Sequence, residues 1–315
     1  MEYKNIAILL TGNCNAKCTM CCDSRGVVKG ETLSKENLEK ILCDIKQCPQ
    51  ITSVGVTGGE PMLYPELVET VLNYDYGRPM ELSIKTNGFW GKDINKARAF
   101  IEKNITKINA ISFSYDEFHE KYIDINSIKN LIDLCIEYNI QTEVVGCFIK
   151  EGKTPGKIID DFGEYAFKTK YLYQPVINTG RAKELPQDKF IQILDSERDQ
   201  IHCLATLESM LLINAKMEVY PCCSQVIENT MLCLGNLKEV TLKEVIDDIS
   251  CNKIFNTLFM HGFTPFIDLL HRKGIKFPKK ITCPCEICEF LFSTDWFMKI
   301  LEEEDFYETI CGGRY

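Results

Sequence analysis

The stretch GNCNAKCTMCC, residues 12–22, places four cysteines within nine positions, directly after the apolar run NIAILL (5–10). A short apolar run bounded by turn residues reads as a buried strand. Cys14, Cys18 and Cys21, spaced C-x3-C-x2-C, therefore lie on the loop at that strand's C-terminal end. This is the end at which βα architectures build their sites. Thiolates crowded in one short loop suit iron–sulfur or zinc. A structural zinc site is closed by four ligands, and a ferredoxin-type cluster also takes four cysteines. Three leave one iron of a [4Fe-4S] cluster without a protein ligand, open to a small molecule. Cys22 adjoins Cys21, and adjacent residues of a short loop rarely both reach one cluster, so Cys22 is read as a bystander.

Working outward, β-rich runs alternate with amphipathic helical patterns through the first 180 residues. The strands are predicted at 5–10, 51–57, 80–86, 108–114, 142–148 and 171–177, and the helices at 34–46, 65–74, 94–103, 125–138 and, more weakly, 157–168. Strands apolar on both faces that alternate with helices imply a parallel sheet covered by helices. Six βα units are two short of a closed (βα)8 barrel, so the expected fold is α/β, an open partial (βα)6 barrel. After residue 182 the texture changes to two short strands around 214–216, helical pieces, and the cysteine-dense CPCEIC (283–288). The predicted organisation is a barrel over 1–182, a linker over 183–200 and a smaller α+β iron–sulfur domain over 201–315.

Composition narrows the function. The 315 residues are 45% hydrophobic and 26% charged, with a net charge of -9, which disfavours a nucleic-acid partner. The N-terminus has no signal-peptide pattern and no apolar run reaches membrane-spanning length, so no membrane association and a cytoplasmic location are expected. Seventeen cysteines in a reducing compartment point to metal or cluster binding, not to disulfides. Cys43, Cys135 and Cys147, inside apolar helix or strand patterns, are expected to be inert core thiols.

VTGGEPML (56–63) follows the second strand. Gly58 and Gly59 allow close backbone approach to a ligand, and Glu60 offers an acceptor to an ammonium group. The third strand ends in KTNG (85–88), the fourth in SFSYDEFH (112–119) and the sixth in NTGRA (178–182). His119 has no evident partner and is read as a surface residue. The cysteine triplet and GGEP together resemble the radical S-adenosylmethionine (radical SAM) family. The resemblance implies that the cofactor's amino and carboxylate groups chelate the open iron, and that one electron cleaves its C–S bond to a 5'-deoxyadenosyl radical. It implies that Met20, where the family usually has an aromatic residue, packs on the adenine. It implies that Gly58, Gly59, Glu60 and Pro61 bind the methionyl amine, that Lys85, Ser114 and Asp116 meet the ribose and carboxylate, and that Arg181 lies near the carboxylate.

The C-terminal third holds a second cysteine set, compatible by spacing with zinc or with an auxiliary [4Fe-4S] cluster. Attached to such a barrel, it resembles the twitch or SPASM-type cluster domains, giving two clusters in all. The expected ligands are Cys203, Cys222, Cys285 and Cys288, with Cys283 able to replace Cys285 and Cys233 in reserve. The strings TNGFWG, SYDEFH, YPCCS and the late C-x2-C resemble the radical SAM peptide epimerases, which act on ribosomally made peptides. That resemblance implies Cα hydrogen abstraction from an L-residue and hydrogen return from a thiol, here Cys223. Where the family carries an acidic residue ahead of the double cysteine, this chain has an apolar one, and Glu208 is the candidate substitute. The competing expectations are a thioether or carbon–carbon cross-link in a peptide and, in a different class, a ferredoxin-like carrier or zinc protein. The expected partners are a short ribosomal peptide and a reductant such as flavodoxin or ferredoxin. Thirteen residues before Cys14 leave no room for a leader-recognition domain, so the peptide is expected at the barrel mouth and C-terminal domain, or presented by a separate protein.

Overall fold

The computed structural model describes residues 3–22, 30–196, 200–203, 210–222, 224–249, 251–303 and 306. Six parallel strands follow one another in chain order: β1 (Asn5–Leu9), β2 (Ser53–Thr57), β3 (Glu81–Thr86), β4 (Ala110–Ser114), β5 (Gln141–Phe148) and β6 (Lys170–Pro175). Between them run α1 (Lys35–Lys46), α2 (Pro65–Leu72), α3 (Ile94–Asn104), α4 (Ile125–Glu137) and α5 (Pro155–Phe162). Side-chain caps fix four of these helix starts. Ser34, Asp93, Asp124 and Thr154 each accept a backbone N–H from the first turn. The weak helical pattern near 157–168 resolves into α5 and a 3-10 turn over Gly163–Phe167.

The sheet is open, because β6 and β1 do not pair. The other edge of β1 takes β8 (Met210–Ile213) in parallel, and the antiparallel strands β9 (Glu218–Tyr220) and β10 (Gly235–Asn236) complete a nine-stranded sheet. A two-stranded ribbon pairs β7 (Leu194–Asp195) with β11 (Lys280–Ile281). The remaining helices are α6 (Leu242–Ile249), α7 (Lys253–His261), α8 (Thr264–Arg272), α9 (Pro284–Phe292) and α10 (Trp296–Glu303). None of the described helices is long and apolar enough to cross a membrane.

Two cores form. The first fills the space between the sheet and its helices, around Ile8, Val56, Ile84, Ile111 and Phe113, and takes in Met217, Val219, Leu242 and Val245. The sheet and the first core thus extend past residue 200, and α6 packs on α1. The second core surrounds Phe263, Phe266, Phe292 and Phe297, and reaches β1 through Leu9 and β8 through Leu212.

The strands are not apolar on both faces. Val54 and Val56, Leu82 and Ile84, and Ile111 and Phe113 are buried against helices, while Ser53, Gly55, Ser83, Lys85, Ser112 and Ser114 alternate with them on the concave side, half-buried or exposed. The second face is polar and partly exposed instead of being packed. Cys43 also departs from expectation: Cys135 is buried, but Cys43 lies exposed on α1.

Arg78, in the loop before β3, joins three elements. Its guanidinium donates to the carbonyls of Ile45, Lys46, Cys48 and Ile51 at 2.8–3.1 Å, closing the C-terminal end of α1 onto the segment leading into β2. Planar, multi-dentate donation is a property of arginine that a lysine ammonium does not reproduce. Arg78→Met is expected to cost about 3 kcal/mol, because several half-buried carbonyls lose charged donors together. The shift in the urea midpoint measures it, and Arg78→Lys should recover less than half.

Candidate functional site

The cysteine loop is held in place by backbone contacts. Gly59 N donates to Thr11 O at 2.6 Å and Glu60 N to Asn13 O at 2.8 Å. Gly58 has φ of 142°, a Cβ there would stand 2.5 Å from Thr11 O, and a Cβ on Gly59 would stand 2.2 Å from Asn13 O. The glycine pair is therefore required by loop packing on loop; the expected approach to a ligand is not what demands it. Glu60 is fully buried. Its Oε1 accepts from Met62 N at 3.0 Å and Thr86 Oγ1 at 2.7 Å, and its Oε2 from Asn87 N at 2.7 Å. Three of roughly four acceptor directions of a carboxylate are thus spent within the protein. Glu60 ties the end of β2 to the end of β3, with Pro61 opening the turn that follows. Burial pushes its pKa up to about 7, against the pull of those donors.

Cys18 is buried, and Cys14 and Cys21 are half-buried. Ala16 N donates to Cys14 Sγ at 3.4 Å. Burial pushes the Cys14 thiol up to about 11, and nearby Glu60, Cys18 and Cys21 add to the rise. Three crowded sulfurs do not ionise together without a cation among them, and a bound metal centre removes that penalty. NTGRA closes over this loop. Arg181 N donates to Cys21 O at 3.0 Å, the Arg181 guanidinium lies beside the Cys21 sulfur, and Gly180 (φ 56°) has no room for a Cβ beside Cys22 O. Asn178 Oδ1, Thr179 Oγ1 and Arg181 Nε are buried without partners on this one turn. Orphaned buried polar atoms are costly, and their gathering against three thiols fits a site built for a polar ligand and a cluster. Met20 packs with Ala16, Cys18, Phe118, Val176 and Ala182.

At the end of β4 the geometry revises two readings. Asp116 is fully buried; its Oδ1 takes the N–H groups of Phe118 and His119, and its Oδ2 that of Cys147. The carboxylate is thus committed to the protein and is not presented to a cofactor. His119 is no surface residue. Its side chain is 12% exposed, and its Nδ1 lies 2.8 Å from Asp116 Oδ1. Burial alone would lower its pKa, but hydrogen bonds to Asp116 and the Cys18 sulfur outweigh burial and raise it to about 10. The signal in the sequence is the i, i+3 spacing of Asp116 and His119 right after a strand end. Lys85 and Ser114 are on the concave face, Lys85 beside Ser112, whose hydroxyl bonds Glu143. Cys147, expected to be inert core, is half-buried near Cys21 and Lys85, with Gln174 as its hydrogen-bond partner.

The second group assembles from distant segments. Cys285 interacts with Cys222, Cys283 and Cys288, and Cys288 in turn with Cys203 and Cys283. The hydrogen bond that Cys285 donates to the Cys283 sulfur, then burial, raise the Cys285 pKa, and burial raises that of Cys288. The four expected ligands and the alternate Cys283 are thus within electrostatic reach of one another. Cys233 does not join them; it is exposed and bonds Gly235 O. Among the described residues no three His, Cys, Asp or Glu side chains converge as closely as a single metal ion demands. Cys223, Glu208 and Cys311 lie outside the described residues.

Two bridges connect the groups. Ser224 N donates to Cys222 Sγ at 3.3 Å, and the next residue, Gln225, donates from Nε2 to Gly58 O at 3.2 Å. On the other side, Glu286 of CPCEIC accepts from Asn178 Nδ2 at 3.1 Å, while Asn178 N donates to Thr282 Oγ1 at 2.7 Å.

Comparison with known proteins agrees with this geometry. Residues 8–160 match the model of the Radical SAM superfamily. The chain is 25% identical over 307 residues to "Putative peptide biosynthesis protein YydG" of Bacillus subtilis (strain 168), covering 93% of each protein. It is 32% identical over 119 residues to "GTP 3',8-cyclase 2" of Mycobacterium tuberculosis (strain ATCC 25618 / H37Rv), covering 36% of this chain and 32% of that one. Among solved structures, "Native anSMEcpe with bound AdoMet" superposes with a TM-score of 0.59 at 16% identity, covering 98% of this chain and 100% of that one. That family binds S-adenosylmethionine and a [4Fe-4S] cluster, and the three-cysteine loop with its GGEP brace lies within the matched residues. Residues 8–160, which hold the cysteine triplet and GGEP, are a radical SAM domain.

Proposed function

We propose that the chain modifies a ribosomally made peptide, inverting an L-residue to its D-form. The observation that carries this reading is the convergence of a second cysteine group on loops hydrogen-bonded to those of the first. The likeness to YydG over 93% of both chains supports a peptide as substrate. Cys14, Cys18 and Cys21 hold the cluster, and Met20, Gly58, Gly59, Glu60, Pro61 and Arg181 shape the cofactor site. Lys85 and Ser114 face it from the concave side, and Asp116 acts through His119. The bound cofactor and cluster supply a primary carbon radical, which takes the Cα hydrogen of the peptide. Cys203, Cys222, Cys285 and Cys288, with Cys283 beside them, hold the auxiliary cluster.

Cys223 follows a residue of the second group and precedes by two the residue that touches Gly58. A thiol there returns hydrogen to the planar Cα radical and is left as a thiyl. One electron and one proton then restore it. With the electron that cleaves the cofactor, each turnover consumes two electrons, which a reductant of the flavodoxin or ferredoxin class provides.

In heavy water the epimerised peptide should gain about one dalton, from the exchangeable thiol hydrogen. Loss of two hydrogens would instead mark a cross-link. Cys223→Ala should still form 5'-deoxyadenosine but no D-residue; unchanged stereochemistry in its product would remove Cys223 from the role of donor.

The bridges make the second group a brace for the cofactor site. Gln225→Leu should weaken S-adenosylmethionine binding about fivefold, the value of one hydrogen bond of about 1 kcal/mol. Iron content should stay at the wild-type level. Equilibrium dialysis reads the first, and iron analysis of the anaerobically reconstituted protein reads the second.

A further inference from the structure

The segment HRKGIKFPKK, residues 271–280, has a charge opposite to that of the chain. It holds His271, Arg272, Lys273, Lys276, Lys279 and Lys280, with no acidic residue between Asp268 and Glu286, in a protein of net charge -9. Every one of these six residues is exposed. His271 and Arg272 sit in the last turn of α8, where cations favour the helix dipole. That accounts for two of the positions. Lys276, Lys279 and Lys280 lie beyond the helix, Lys280 opposite Asp195 across the β7–β11 ribbon.

The location of the segment gives it meaning. Lys280 belongs to β11, two residues before Thr282, whose hydroxyl receives Asn178 N. Asn178 opens the turn that closes over Cys21. Cys283 is three residues from Lys280, which puts their Cα atoms within about 11 Å even along a fully extended chain. The C-terminal end of the basic segment thus adjoins the second sulfur group and, through Thr282, is hydrogen-bonded to the turn that closes over the first.

We propose that residues 271–280 form the docking face for a small acidic one-electron carrier protein of the flavodoxin or ferredoxin class. The inference rests on the radical SAM reading and adds where the reductant binds. The carrier loses one electron and the chain's cluster gains it, with no bond made or broken. The chain's net negative charge repels such a carrier, and this basic segment attracts it, so the encounter is oriented.

The test uses the full-length reconstituted protein and the variant Arg272→Glu/Lys276→Glu/Lys280→Glu. Cluster reduction by photoreduced flavodoxin, and separately by a reduced [2Fe-2S] ferredoxin, is followed by stopped-flow absorbance at several salt concentrations. The wild-type rate should fall steeply with salt. The variant's low-salt rate should be at least tenfold lower and nearly flat with salt, while dithionite-driven 5'-deoxyadenosine formation stays at the wild-type level. Should the charge reversal impair folding, Lys276→Gln/Lys280→Gln is expected to give an intermediate rate. Equal carrier rates in wild type and variant would overturn the proposal, as would weaker binding of the peptide substrate with carrier rates unchanged. Cluster reduction is read without cofactor cleavage. A wild type that is reduced but makes no deoxyadenosine would therefore fault the radical reading and leave the docking result standing.

Discussion

The site depends on one close contact between two backbones. Thr11 and Asn13, just ahead of the first cysteine, accept hydrogen bonds from Gly59 and Glu60, so the loop after β1 and the loop after β2 form a single rigid ledge. The contact excludes any side chain at 58 or 59. It also explains a buried carboxylate. A desolvated Glu60 is expensive, and three donors from Met62, Thr86 and Asn87 offset that cost while drawing the end of β3 to the same ledge. Cysteines placed on this support are positioned by backbone contacts, the kind of pre-organisation a reactive centre needs.

β1 transmits this arrangement to the C-terminal region. Its C-terminal loop carries the first cysteines, Ile6 and Ile8 face the first core, and Leu9 faces the second. Its outer edge takes β8, and the hairpin partner β9 ends two residues before Cys222. The second cysteine group is thus fixed to the first by a strand ladder and by the side-chain bridges of Gln225 and Glu286. A flexible linker between independent modules would give no such register. The polar concave row of Lys85, Ser112 and Glu143 faces the space that remains. A row of this kind suits a polar backbone better than an apolar small molecule.

Much of the fold was legible in the sequence because its signals are local. Alternating apolar runs and helix caps such as Ser34 and Asp124 fixed each βα unit within a few residues. The cysteine loop was legible for the same reason: three sulfurs within eight positions must share a loop. What stayed hidden depends on contacts between distant residues. The spacing of Gly58 and Gly59 shows that a backbone comes close, but not that the backbone is that of Thr11 and Asn13. Cys43 sits in a helical pattern with Leu38, Ile41, Leu42 and Ile45, yet the helix turns those four inward and leaves the thiol outside. Cys147 has the reverse history: an apolar-looking strand places it on the concave face. His119 was misread because a lone histidine carries no visible partner until the turn brings Asp116 and Cys18 to its ring.

The charges around the three sulfurs follow one rule. The carboxylates nearest the cysteine loop, Glu60 and Asp116, are turned inward and saturated by protein donors. The cationic groups, Arg181 and His119, point toward sulfur. Free thiolates at this spot would repel one another; burial raises the Cys14 pKa first, and Cys18 and Cys21 add to the rise. A cluster held by three thiolates still bears negative charge, and each added electron increases it. Donors aimed at the sulfurs favour that reduced state, since hydrogen bonds to cluster sulfurs and local charge set the potential. The arrangement therefore favours a centre that must accept an electron in place, and the two acids closest to it serve as scaffold.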